Sequence, residues 1–192
     1  MPMTDDDVRA QVNTADGWLE FHRYFVERQC RPEVRGFAFA GLDAAHPHPD
    51  FIEIIGRKEL RAIVICPSNP FVSIETIMAL PGVRQALRDC EAPVIAVAPV
   101  IGAKAVKGPT AKMMQELGLE VSAAAVARLY EDFLDGYVVD HADAALTASL
   151  DMRTVATEAL LISLADRENL ARAVLQPADR LSGCPKEVGQ TI

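Results

Sequence analysis

Two short runs constrain this chain more than any other feature. Residues 62–66 read Ala-Ile-Val-Ile-Cys and residues 93–98 read Pro-Val-Ile-Ala-Val-Ala, and a proline follows each run directly. Runs of five or six apolar residues are too short for a helix, and β-branched side chains favour the extended chain. A strand with no polar side buries both faces, as in a parallel sheet covered by helices above and below. Helical stretches separate the runs: residues 73–80, with Ser73 as the cap, then 83–90, 110–117 and 123–133, the last capped by Ser122. Tyr137-Val138-Val139 and residues 152–156 supply further strands, and Asp166 opens a final helix over 167–175. This order predicts an α/β, Rossmann-like, three-layer fold with a mainly parallel sheet.

The rest of the chain is consistent with one domain. It has 192 residues, 50% of them hydrophobic, enough for a sizeable core. With 19 Lys+Arg against 27 Asp+Glu the net charge is −8, which argues against a nucleic-acid partner, since phosphate contacts need a cationic face. No apolar run approaches the ~20 residues needed to span a bilayer, and the start is acidic, so the expected setting is cytoplasmic, away from membranes. Cys30, Cys66, Cys90 and Cys184 lie far apart and read as reduced thiols, mostly buried. Residues 1–11 read as an acidic, frayed start, 12–175 as the α/β domain and 176–192 as a loose tail. Residues 34–40 alternate as a strand; 18–28 stays open between helix and strand; Gly118 suits a left-handed helix end.

Ligands of doubly wound sheets bind at the carboxyl ends of the strands, and two loops here occupy such ends. The first is Cys66-Pro67-Ser68-Asn69-Pro70-Phe71. Its prolines stiffen the backbone and leave the Ser68 hydroxyl and Asn69 amide to meet a phosphate, or simply to build a tight turn. The second runs from Ala98 to Lys112. No acidic residue falls between Glu91 and Glu116, whereas Lys104, Lys107 and Lys112 all do. With Gly102 and Gly108 permitting close backbone approach, this cationic island suits a polyphosphate; the alternative is a solvated basic loop.

Other candidates carry less. His46, His48 and Asp50 could hold a metal, although no third strong ligand is local. Asp50 may equally cap a short helix. Cys66 could be a nucleophile or a small core residue. Asp132, Asp135, Asp140 and Asp143 cluster around the 137–139 strand and could hold Mg²⁺ or serve as solvated caps. Trp18 could offer a stacking face, but core packing is the expectation.

Those two loops, read as Cys66-Pro67-Ser68-Asn69-Pro70-Phe71-Val72-Ser73-Ile74 and Pro99-Val100-Ile101-Gly102-Ala103-Lys104-Ala105-Val106-Lys107-Gly108-Pro109-Thr110, resemble the CofD family. Thr14-Ala15-Asp16-Gly17-Trp18 and Leu134-Asp135-Gly136-Tyr137-Val138-Val139-Asp140 extend the resemblance. It implies a 2-phospho-L-lactate transferase, or a phosphoenolpyruvate transferase, of coenzyme F420 biosynthesis. The terminal hydroxyl of the deazaflavin Fo would attack a guanosine diphosphate ester, and GMP would leave. It also implies Mg²⁺ at the diphosphate, with substrate contacts from Ser68, Asn69, Lys104, Lys107, Gly108 and Lys112.

The chain departs from the family pattern at Glu75, where a small residue is usual, and at Ala103, where the family commonly has Gly. The N-terminal nucleotide-binding strands and Gly-rich loop of the family do not precede Thr14. The expectation is therefore the carboxyl-terminal portion of such an enzyme, inactive alone, and either a homodimer or completed by a separate N-terminal half. The other reading is a non-catalytic nucleotide-binding or regulatory relative.

Overall fold

The computed structural model of the chain describes residues 1–105 and 108–181. Strand β1 (Arg9–Thr14) begins inside the segment expected to fray. It turns through Ala15-Asp16 into β2 (Gly17–Glu20), with Gly17 at φ +100°, where a side chain would be strained. The Thr14 hydroxyl fastens that turn, accepting the Asp16 N–H at 3.2 Å and donating to the Gly17 carbonyl at 2.9 Å. One π-helical turn, Arg23–Glu27, follows, so the undecided stretch becomes a strand end and a wide helical turn. Strand β3 (Val34–Ala40) pairs antiparallel with β1, giving the order β2-β1-β3. Val12, Tyr24 and Val34 are fully buried in this small core beside Val72 and Met113.

The acidic start is held rather than frayed. The Thr4 hydroxyl donates to the His46 carbonyl at 2.6 Å, and the His48 N–H donates to the Met3 carbonyl at 2.8 Å. Partners some forty residues away supply that order, which local composition does not report. Helix α1 (Pro49–Ile55) is capped by His48, whose Nδ1 accepts the Asp50 N–H at 3.2 Å; Asp50 is therefore the capped residue and not the cap.

The second half of the molecule is built on strands β4 (Ile63–Ile65), β5 (Val94–Val97), the hairpin pair β6 (Val100–Ile101) and β7 (Lys104–Ala105), β8 (Gly136–Asp140) and β9 (Arg153–Thr157). After β4, a π-helical turn, Pro70–Ile74, runs into α2 (Glu75–Met78), and α3 (Val83–Asp89) precedes β5. Helices α4 (Thr110–Glu116) and α5 (Ala123–Arg128) lie before β8, a 3-10 segment His141–Ser149 follows it, and α6 (Leu164–Leu181) ends the described chain. Ser122 caps α5 as expected, its hydroxyl accepting the Ala125 N–H at 3.1 Å, although α5 stops at Arg128.

Strands β4, β5, β8 and β9 form a four-stranded sheet in that order, parallel throughout. The two-residue period of β5 sends Val94 and Ala96 into a core with Val83, Leu87 and Val126, and sends Ile95 and Val97 towards Leu170, Val174 and Ala178 of α6. Both sheet faces are therefore covered, which gives the three layers. Each fully buried aliphatic side chain contributes roughly 1.5–3 kcal/mol. Strand β4 departs from expectation. It is an edge strand and Val64 is 41% exposed, so burial on both faces holds for β5 and not for β4.

Two further expectations are corrected. Residues 176–181, read as loose tail, continue α6 through the buried Pro177. A proline inside a helix forfeits one backbone bond. Ala178 beside it is buried, and Asp179 holds Arg61 in an exposed bidentate pair at 2.8 and 2.9 Å. Residues 182–192, with Cys184, lie outside the described residues. Of the remaining cysteines only Cys90 is buried; Cys30 is half-buried and Cys66, leaving the edge strand, is exposed. Among the described residues no helix is long and apolar enough to cross a membrane.

Candidate functional site

A cleft of about 470 Å³ opens where the chain leaves β4 and β5. Pro67, Ser68 and Asn69 line it from the loop after β4, and Ala98 and Pro99 from the end of β5. Gly108, Pro109 and Thr110 complete this side at the start of α4. The rest of the lining is apolar: Phe21 and Phe25, whose ring centroids lie 5.7 Å apart, and Ala159, Leu160 and Leu161 beyond β9. Phe25 and Leu160 are each 44% exposed, so large apolar surface stands open at the cleft. These five residues were missed in the sequence. The run at 159–162 is apolar at every position, but such a run ordinarily signals a core.

The residues expected to bind substrate divide into three groups. Ser68 lines the cleft, and its hydroxyl has no hydrogen-bond partner among the described residues. Gly108 also lines it, at φ +70°, with no other atom within 4 Å of where a Cβ would stand, so its backbone is approachable. Asn69 lines the cleft too, but its side chain is engaged internally. Its Oδ1 accepts the Phe71 and Val72 N–H groups at 2.9 and 3.2 Å. Its Nδ2 donates to Thr110 Oγ1 at 3.1 Å and Met113 Sδ at 3.2 Å. Asn69 thus caps the π-helical turn in place of Ser73 and ties the β4 loop to α4.

The two described lysines of the cationic island, Lys104 and Lys112, do not line the cleft. Lys112 points away from the cleft: its ammonium donates to Glu116 at 2.6 Å and to the Pro32 carbonyl at 2.9 Å, and reaches the Tyr24 hydroxyl at 3.3 Å. Burial opposes the Lys112 charge, yet these partners more than offset it and raise its pKa. Lys104 is exposed on β7, makes no ion pair among the described residues and does not line the cleft. Lys107 lies outside the described residues.

The acidic candidates hold backbone N–H groups or arginines. Asp135 accepts the Val94 N–H at 2.8 Å. Asp140 accepts the Ala142 and Ala159 N–H groups, both at 3.0 Å. Asp132 pairs with Arg84 and Arg88 at 3.0 and 2.7 Å, and Asp16 pairs with Arg28. Glu75, where the chain departs from the family pattern, is matched by Arg84 at 2.8 Å and does not line the cleft. His48 is used as a cap, and His46 is largely exposed. Trp18, expected to pack in the core, is 53% exposed. Among the described residues no three His, Cys, Asp or Glu side chains gather as a metal site. The described residues thus supply no such ligand set for the Mg²⁺ that the resemblance implies.

Comparison with known proteins decides the family. The family described as 2-phospho-L-lactate transferase CofD matches residues 1–176. The chain belongs to the CofD family. It is 36% identical over 179 residues to a 2-phospho-L-lactate transferase of Methanosarcina mazei, covering 92% of this chain and 58% of that protein. It is 34% identical over 189 residues to a phosphoenolpyruvate transferase of Kitasatospora aureofaciens, covering 94% and 58%. This CofD-family chain therefore spans somewhat over half the length of the curated relatives it matches. Among solved structures, a Bacillus halodurans protein of the UPF0052 family shares the fold, with a TM-score of 0.63 at 15% identity over 91% of this chain and 61% of that one.

Proposed function

We propose that the cleft takes a guanosine diphosphate ester and the deazaflavin Fo, and that this CofD-family chain serves phospholactyl or phosphoenolpyruvyl transfer in coenzyme F420 biosynthesis. The observation that carries the reading is the two-sided cleft. A free serine hydroxyl and an open glycine backbone sit beside exposed aromatic and leucine surface. Phosphate oxygens need donors and close backbone approach, whereas a planar tricyclic ring needs apolar faces. In the step proposed, the terminal ribityl oxygen of Fo bonds to the phosphorus bearing the acid. The bond from that phosphorus to the bridging oxygen breaks, GMP departs with that oxygen, and the hydroxyl proton passes to solvent. Such transfers rely on positioning and on neutralising charge.

One observation favours a second reading, binding without turnover. Among the described residues, none that lines the cleft carries an ionisable side chain of the acid–base kind. The test is incubation with Fo, a lactyl or enolpyruvyl guanosine diphosphate and Mg²⁺, with product separated by chromatography and weighed by mass spectrometry. A phosphodiester of Fo supports transfer. Calorimetric binding of guanosine diphosphate and of Fo without product supports the second reading. Binding of neither removes both.

A further inference from the structure

The carboxyl end of β8 touches both the loop that frames the cleft and the apolar segment beyond β9. The framing loop leaves the cleft at Ala98-Pro99, makes the β6–β7 hairpin, and returns at Gly108-Pro109-Thr110. The hairpin turns on two residues, Gly102 at φ +55° and Ala103 at φ +60°. A two-residue turn with both central residues left-handed is the type whose twist matches its strands, but alanine pays for that conformation. Something outside the hairpin must therefore hold it.

The holding group is Asp143. Its side chain is only 6% exposed, and its Oδ2 accepts the Gly102 N–H at 2.9 Å. The Ala142 methyl lies 3.9 Å from where a Cβ on Gly102 would stand, so the 3-10 segment packs directly under the turn. Three residues earlier, Asp140 accepts the Ala142 N–H, which starts that segment, and the Ala159 N–H, which belongs to the cleft lining. A buried carboxylate without donors is costly, and a carboxylate taking backbone N–H groups is a strong local tether.

We infer that Asp140 and Asp143 are positioning residues: Asp143 sets the lysine-bearing hairpin, Asp140 sets the Ala159–Leu161 side, and together they hold the cleft at its working width. The inference rests on the anion-binding reading of the cleft for its functional consequence, but not for its structural content. It assigns these carboxylates to the protein backbone and not to a metal or a proton. At Asp143 what matters is then one oxygen acceptor in the right place, which asparagine also provides; Asp140 uses both of its oxygens, of which asparagine replaces one.

The experiment pairs amide hydrogen exchange, read by NMR, with calorimetric titration of inorganic pyrophosphate, on the full chain. D143A is expected to raise exchange at Gly102 about tenfold, the equivalent of one lost hydrogen bond, while leaving Ala159 protected. D140A is expected to do the reverse. D143N should keep Gly102 protected and hold pyrophosphate affinity within about twofold of the unsubstituted chain, whereas D140N, left with one acceptor oxygen, should keep one of the Ala142 and Ala159 amides protected and release the other. A tenfold loss of affinity in D143N, with Gly102 still protected, would overturn the inference by showing that the charge itself is used. Unchanged Gly102 exchange in D143A would overturn it directly. Should D143A not fold, D143N decides. If the unsubstituted chain ignores pyrophosphate, the anion reading fails while the exchange result still judges the tether.

Discussion

Asn69 is the side chain on which the polar half of the cleft depends, and its replacement by alanine has a calculable cost. Two of its bonds cap the π-helical turn through Phe71 and Val72, and a third reaches the buried Thr110 hydroxyl. Loss of an asparagine cap costs about 1 kcal/mol. Loss of the Thr110 bond adds about 1 kcal/mol, and somewhat more because Thr110 is 2% exposed and water does not readily replace the donor. N69A is therefore expected to lose about 2–3 kcal/mol. For a chain of this size each kcal/mol moves the melting temperature by roughly 2–4 °C, so a fall of about 4–12 °C is expected. N69D keeps the acceptor and loses the donor, and should fall by about half as much. Circular dichroism melts of the three proteins, with urea denaturation to check that the slope is unchanged, measure both effects. An N69A melt within 1 °C of the unsubstituted chain would refute the claim that this residue ties the two loops together.

Two other perturbations probe the same framework. Ala103 sits at φ +60° in the hairpin turn, so A103G should stabilise the chain by about 0.5–1 kcal/mol in urea denaturation, the relief of strain exceeding the added freedom of the unfolded glycine. Lys112 has its pKa raised above the usual 10.5 by Glu116 and Tyr24 against the opposing effect of burial. A raised lysine contributes stability that is complete below its unfolded value and disappears as pH climbs through the folded one. Melts from pH 7 to 11 should therefore show K112M less stable than the unsubstituted chain at neutral pH, with the gap narrowing above about pH 10; a constant gap would count against the ion pair.

What was legible in the sequence was local. The β5 run, apolar at every position, announced a strand buried on both faces, and Ser122 and Gly118 announced a cap and a left-handed helix end; Gly118 stands at φ +72°. The two loops at strand ends were also legible, because a parallel sheet places its open end at the carboxyl termini of its strands whatever the side chains are. Which side chains of those loops reach the cleft was not legible. Lys112 is bonded to the Pro32 carbonyl, 80 residues away, and Asn69 to Thr110, 41 residues away, so both are fixed by partners that no local window contains. The run at 159–162 shows the limit from the other side: it is apolar at every position, yet Leu160 and Leu161 line an open cleft and Ile162 is 78% exposed. Hydrophobicity states what a residue gains by leaving water, and only the packing of distant segments decides whether there is anything there to bury it. Strand β1 likewise reads as polar and acidic-flanked, and becomes the centre of a sheet because β2 and β3 satisfy its backbone on both sides.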